Sequence, residues 1–376
     1  MMTAPSPSGI LLLGGFAALP RCPITRWNPM ALSQPSADPS TLTGAVPRVS
    51  VIVPIYNGVA DLPGLAAGLL SQTLPPAQVE YLLVDNNSQD DTLSQLQALA
   101  AQAQAQGITV IPLTEASIQS SYAARNRGIR AARGEILVFT DADCRPTADW
   151  LAHMVMPFDD PQVGLVVGEI QALPGHSLLE QYADRREILS QKFTIAHSFY
   201  PYGQTANLAV RRVALVNAGL FRPYLTTGGD ADLCWRIQLS GDWRLHFAPA
   251  AIIRHRHRAT LKELQSQWQR YGRSNAYLHE LYGVPLQPYL SQGQLVRRVG
   301  RWLVKEVPVA VWRSLRGQVP AVEIIGTPLD LFCRRSRERG QRQAKLQANA
   351  HTIEWLEAPP AAAVLKALQT KAKVTP

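Results

Sequence analysis

Two stretches, VSVIVPIY at 49–56 and VEYLLVD at 79–85, are apolar at nearly every position instead of at alternate ones. A strand with one wet face alternates, so continuous β-branched runs demand burial on both faces, as in a parallel sheet covered by helices. ITVIPL at 108–113 and EILVFTDAD at 135–143 repeat the pattern. Between them, residues 60–72, 90–106 (with Asp90 or Asp91 near the N-cap) and 121–133 read as helices. Strands alternating with helices predict βαβ units: an α/β chain with a mostly parallel central sheet flanked by helices. After Trp150 the spacing predicts a strand at 163–170, a helix at 177–193, a strand running into a helix at 204–212 and a helix at 229–241. A pair of short strands, or a strand and loop, follows at 244–257, then a long helix at 260–283. No period of 20 to 50 residues recurs, which excludes a solenoid.

With 376 residues the chain has room for one large α/β domain plus extensions. Cys22, Cys144, Cys234 and Cys333 lack paired spacing, which argues against a disulfide framework or a structural zinc site and fits a reducing, cytoplasmic setting. The net charge of +9 is uneven: residues 285–345 hold 12 Lys/Arg against 4 Asp/Glu, the remainder 25 against 24. A basic block of this kind points to a local anionic partner such as a membrane face, not to nucleic acid, for which no fold signature is present. The apolar run Gly9–Pro20 is about half the roughly 20 residues needed to span a bilayer and lacks a basic n-region, so neither a transmembrane helix nor a signal peptide is expected. The Pro-, Ser- and Thr-rich residues 1–45 read as a disordered leader, with Met30 as an alternative start.

The stretch VFTDADC (138–144) runs an apolar strand into two carboxylates, Asp141 and Asp143. Burying an unpaired anion is costly. Ligands in open α/β sheets bind beyond the carboxyl ends of the strands, and positions i and i+2 of a strand point the same way. Two such carboxylates converge readily on a hard divalent cation, which would bridge a substrate's phosphates. The plainer alternative is a turn in which one Asp caps the next helix.

The other strand ends are polar too. Pro54, Tyr56 and Asn57 follow the first strand, and Asp85 closes the second. Tyr56 is placed to stack on a base and Asp85 to bond a base or ribose, although Pro54 and Asn57 are also ordinary turn residues. Arg125 is a candidate for contact with a diphosphate. Neither G-x-G-x-x-G nor G-x-x-x-x-G-K-[ST] occurs, which disfavours dinucleotide and P-loop modes.

Five segments in order resemble glycosyltransferase family 2, the nucleotide-sugar-dependent enzymes with the GT-A fold: VSVIVPIYNG, YLLVDNNSQDDT, SYAARNRGIRAARGEILVFTDADC, TANLAVRRVALVNAGLF and GGDADLCWRIQLSG, together covering about 48–258. The resemblance implies that the sheet is Rossmann-like, that Asp85 binds the nucleotide, that Asp141 and Asp143 hold Mn²⁺ or Mg²⁺ on the diphosphate, and that Asp230 is the general base of an inverting transfer. Family members often carry Glu-Asp where this chain has Gly229-Asp230, which opens the question of how the acceptor is oriented. Gln204, Asn207 and Trp235 are candidates for the acceptor side, Trp235 being either a sugar platform or a core residue. In RHRHR (254–258), His255 is the candidate third metal or phosphate ligand.

The expected domains are a leader at 1–45, a catalytic domain at 46–260, a helical basic extension at 261–345 and a tail at 346–376. Within the extension, LVRRVGRWLVKEVPVAVWRSLRGQ (295–318), interrupted by Pro308, is either a peripheral membrane contact or a packed helical appendage. The expected partners are a nucleoside-diphosphate sugar, a UDP-sugar first, and a glycan or lipid-linked hydroxyl acceptor. A non-catalytic nucleotide-sugar-binding scaffold remains open. A sugar-phosphate nucleotidyltransferase fits poorly, because PIYNGVADLPG lacks the basic, Gly-rich loop that chemistry needs.

Overall fold

The computed structural model describes residues 46–318 and 320–356. The expected leader at 1–45, with Cys22 and Met30, and most of the expected tail lie outside the described residues. The strands are β1 (Val49–Ile55), β2 (Val79–Asp85), β3 (Thr109–Thr114), β4 (Ile136–Phe139), β5 (Cys144–Pro146), β6 (Val163–Ala172), β7 (Leu208–Arg211) and β8 (Arg244–His255). The helices are α1 (Leu62–Leu70), α2 (Thr92–Gln104), α3 (Ser121–Ala131), α4 (Trp150–Val155), α5 (Leu178–Arg185), α6 (Lys192–Ile195) and α7 (Ala214–Ala218), then α8 (Gly229–Ser240), α9 (Leu261–Tyr282), α10 (Gln292–Arg301), α11 (Val307–Leu315) and α12 (Gly326–Gln343).

One sheet runs in the order β3-β2-β1-β4-β7-β6-β8-β5. β1 to β4 are parallel, β7 is antiparallel to both β4 and β6, and β8 is parallel to β6. Every residue of β1 and β2 is buried, which is why their sequences do not alternate. The price of a charge inside such a sheet shows at Glu80, fully buried on β2: it accepts from Ser50 Oγ at 2.6 Å and from Arg133 Nε at 2.9 Å. The chain winds from β1 to β3 on one side, and α3 returns it to β4 on the other. The switch point, where α/β sheets open a crevice, therefore lies at the carboxyl ends of β1 and β4.

Three expectations need correction. β4 stops at Phe139, so Asp141 and Asp143 sit in a turn closed by Cys144 N–H donating to Asp141 O at 3.1 Å, not on a strand. The helix expected at 177–193 is two, because Glu187 takes φ 48°, a left-handed conformation no helix continues through. Of the two readings of 244–257, the strand and loop holds: residues 244–255 form a single strand, with a register shift against β6 between Gly168 and Glu169. Pro308 does not interrupt the helical run. A π-helical turn, Trp302–Glu306, joins α10 to α11, and Pro308 falls in the first turn of α11, where its missing N–H is tolerated.

The extension packs on the core through α9 and α12. Gly272 of α9 lies against the Arg337 carbonyl and Gly340 of α12 against the Gln269 carbonyl, with no room for a Cβ at either position.

Candidate active site

The crevice is lined by Tyr122 and Arg125 of α3, Asp141, Gln204, Thr205, Asp230 at the start of α8, His255 at the end of β8, Arg258, and Gln267, Arg270 and Tyr271 of α9.

On the side where the donor is expected, Asp85 is buried at the end of β2, and its carboxylate accepts from Ser88 N–H at 3.3 Å. Tyr56 is 53 % exposed. Asn57, at φ 49°, ties two loops together: its Oδ1 accepts from Gln89 N–H at 2.8 Å and its own N–H donates to Ser88 Oγ at 2.9 Å. Pro54 lies inside β1, buried opposite Val84, and does not follow the strand as expected.

Arg125 is buried between Tyr122 and Phe221, its guanidinium carbon 5.6 and 5.9 Å from their ring centres, and its Nη2 donates to Asp141 Oδ1 at 2.5 Å. The second carboxylate turns the other way. Asp143 meets His255 Nε2 at 3.2 Å and Arg258 at 3.8 Å. Burial pushes the Asp143 carboxyl up, but the His255 hydrogen bond and charge, with Arg258, outweigh it and hold it at about 2. His255 is pushed down by burial and up by Asp143, and the net direction is up. Its Nδ1 donates to the Arg256 carbonyl at 2.7 Å, which fixes the ring and leaves Nε2 toward Asp143. Asp143, Cys144 and His255 place ligand atoms within 4.8 Å of one another. Burial drives the Cys144 thiol well above its ordinary value, so it stays protonated and leaves an oxygen and imidazole set suited to a hard or borderline cation. His257 is also buried, which with the neighbouring His255 lowers it to about 4 and keeps it neutral.

Across the crevice, Asp230 accepts from Thr205 Oγ1 at 3.0 Å. Burial raises its carboxyl above the ordinary value; Arg125 and the Thr205 bond oppose this, and Asp141 adds to it. Asp232, the rival for the base, is fully buried. It accepts from Arg222 Nε at 2.9 Å, Tyr282 Oη at 2.7 Å and Arg236 Nη2 at 2.8 Å, which makes it a structural anchor.

The structure revises the expected acceptor side. Trp235 is fully buried, its Nε1 donating to the Tyr200 carbonyl at 2.9 Å amid His197, Phe199, Tyr202 and Tyr282, so no sugar can lie on it. Asn207 is fully buried and spent on structure: its Nδ2 donates to the Glu169 and Ala251 carbonyls at 2.8 and 2.9 Å, and its Oδ1 accepts from Trp150 Nε1 at 2.8 Å. Gln204 does line the crevice, although its amide is held by the Leu189 carbonyl at 3.0 Å. Tyr122, Thr205, Gln267, Arg270 and Tyr271 were not anticipated. The sequence signal for the α9 group is the one-turn spacing of Gln267, Arg270 and Tyr271, visible only once α9 is known to border the crevice.

Comparison with known proteins agrees with this architecture. The profile of glycosyl transferase family 2 matches residues 50–224. The glycosyltransferase AglE of Haloferax volcanii is 33% identical over 229 residues, 61% of this chain and 73% of that protein. The pre-mycofactocin glycosyltransferase of Mycobacterium tuberculosis is 32% identical over 161 residues, 42% of this chain and 34% of that protein. Among solved structures, a mannosyltransferase from Pyrobaculum calidifontis, in complex with GDP-Man and Mn²⁺, superposes with a TM-score of 0.50 at 22% identity, covering 86% of this chain and 88% of that one; this shows the shared GT-A fold. The chain is a glycosyltransferase and belongs to glycosyltransferase family 2.

Proposed function

We propose that the protein moves a sugar from a nucleoside-diphosphate sugar, a UDP-sugar first, to a hydroxyl of a glycan or lipid-linked acceptor, with inversion at the anomeric carbon. The observation that carries this is the division of the crevice. A carboxylate with a raised pKa, Asp230, stands on one side, and a low-pKa carboxylate with an imidazole, Asp143 and His255, on the other. Asp143 and His255, with Asp141 nearby, fit a divalent cation, because a carboxylate and an oriented imidazole are what such an ion takes. Mn²⁺ or Mg²⁺ bound there supplies positive charge against a diphosphate leaving group.

Asp85 and Tyr56 hold the nucleoside. Arg258 lies beside Asp143, where it can pair with phosphate oxygens. Asp230 takes the proton of the acceptor hydroxyl as its oxygen bonds the anomeric carbon, and the bond to the diphosphate breaks with its electron pair leaving on the nucleotide. The raised pKa suits a base working near neutrality better than an ordinary carboxylate would. The setting we propose is the cytoplasm, with 295–318 at the membrane face; no helix among the described residues is long and apolar enough to cross a membrane.

Calorimetric titration of UDP, GDP and dTDP with Mn²⁺ and again with EDTA tests the reading. One nucleotide should bind only with metal, and Asp143→Ala or His255→Ala should abolish that binding. Asp230→Asn should keep donor binding and lose transfer. Metal-independent binding, or loss of binding in Asp230→Asn, would count against it.

A further inference from the structure

We propose that α10, the π turn and α11 form an in-plane anchor for an anionic bilayer surface, in which one ridge of the helix enters the headgroup layer. The helix is moored on its inner side. Leu295, Val299, Trp302, Glu306 and Ala310 are partly buried, Trp302 Nε1 donates to the Ile324 carbonyl at 2.8 Å, and Glu306 accepts from Thr327. Neither α10 nor α11 contains a fully buried residue, so the mooring holds the helix without enclosing it.

The outer side carries two kinds of group. Val296, Leu303, Val304, Val311, Trp312 and Leu315 are all exposed, Val304 at 81 % and Leu315 at 83 %. Arg297, Arg298, Arg301, Lys305, Arg313 and Arg316 are exposed among them. Between 284 and 318 the sequence has one carboxylate, Glu306, already engaged by Arg301 at 2.8 Å and by Thr327. A protein partner would need an acidic, shape-matched face. A bilayer needs only what is present here: exposed aliphatic groups, a tryptophan at the boundary and unneutralised cations. The Arg316 guanidinium lies 3.7 Å from the centre of the Trp312 ring, which puts a cation and an interfacial ring at one point. This inference deepens the reading above by bringing the enzyme to the surface where a lipid-linked acceptor resides. The test below reads lipid binding without transfer, so either can fail alone.

The experiment is co-sedimentation of the full chain with phosphatidylcholine vesicles, with and without phosphatidylglycerol, at low salt and at about 0.5 M, where screening confines charge attraction to a few ångströms. Wild type should pellet with anionic vesicles and be released by salt, with a blue shift in tryptophan emission that Trp312→Phe diminishes. Arg297→Gln/Arg298→Gln/Arg313→Gln/Arg316→Gln should lower partitioning at least about a hundredfold. Leu303→Ser/Val304→Ser/Leu315→Ser should lower it while leaving circular dichroism and nucleotide binding unchanged. No pelleting, or equal pelleting with neutral vesicles, would overturn the proposal. So would self-association abolished by the serine variant, which would assign the ridge to a second copy. Vesicle binding that survives both variants but is lost on deleting residues 1–45 would assign it to the 9–20 segment instead.

Discussion

The ring of Tyr122 fills the space a side chain at position 229 would need: an ideal Cβ on Gly229 would lie 2.6 Å from Tyr122 Cζ. The Tyr122 hydroxyl accepts a hydrogen bond from Gly229 N–H at 3.0 Å, and the ring stacks on Phe221 with centres 5.5 Å apart. The glycine before Asp230 is thus half of a matched pair with Tyr122.

Gly229→Glu should therefore overpack the crevice floor and destabilise the fold by about 1–3 kcal/mol. It should also lower transfer by misplacing Asp230. Tyr122→Ala combined with Gly229→Glu should recover part of that stability, read as a coupling in thermal or urea denaturation of the four variants. Additive effects would show that the two positions are independent.

Asp230 must be deprotonated to act as base, so kcat/KM should rise with pH as it ionises. Burial raises its pKa, which puts the acid limb above the ordinary carboxylate range. The Thr205 hydrogen bond opposes that rise, so Thr205→Val should move the limb to still higher pH, and Asp230→Asn should remove it with a rate loss of about 10²–10⁴. A limb that stays put in Thr205→Val would place the base elsewhere.

Asp232 anchors α8. Burial alone would raise its carboxyl, but Arg236 and Arg222 hold it at about 2. A depressed folded-state pKa means the group adds stability above its unfolded value of about 3.9, and that this part is lost as pH falls from about 4 toward 2. Asp232→Asn should cost about 3–5 kcal/mol at pH 7, because two guanidiniums lose a buried partner. Urea midpoints across that acid range should fall less steeply in the variant than in wild type.

The sheet was legible because burial on both faces leaves an unmistakable apolar run, as at 49–55 and 79–85. The end of β4 was not, since Thr140 is as buried as the strand and local pattern cannot mark where pairing stops. The break at Glu187 was hidden because a left-handed glutamate has no sequence signature. Asp141, Asp230 and His255 line one crevice from separate elements, and Asp143, in the same turn as Asp141, joins them through His255. Asn207 was misread, and Trp235 took the core side of its two readings, because neither a tryptophan five residues after Asp230 nor an asparagine before a strand announces its burial; backbone carbonyls 35 to 44 residues away decide that for Asn207 and Trp235 alike.

The two glycine contacts between α9 and α12 bear on how this enzyme can be recombined. They fix the height at which Gln267, Arg270 and Tyr271 meet the crevice, and a methyl group at either glycine would change it. A chimera joined at residue 260 would therefore carry Asp141, Asp230 and His255 from one parent and the α9 wall of the crevice from the other. Grafting experiments on this chain should keep the seam after α12, so that core and extension travel as a single inheritable unit.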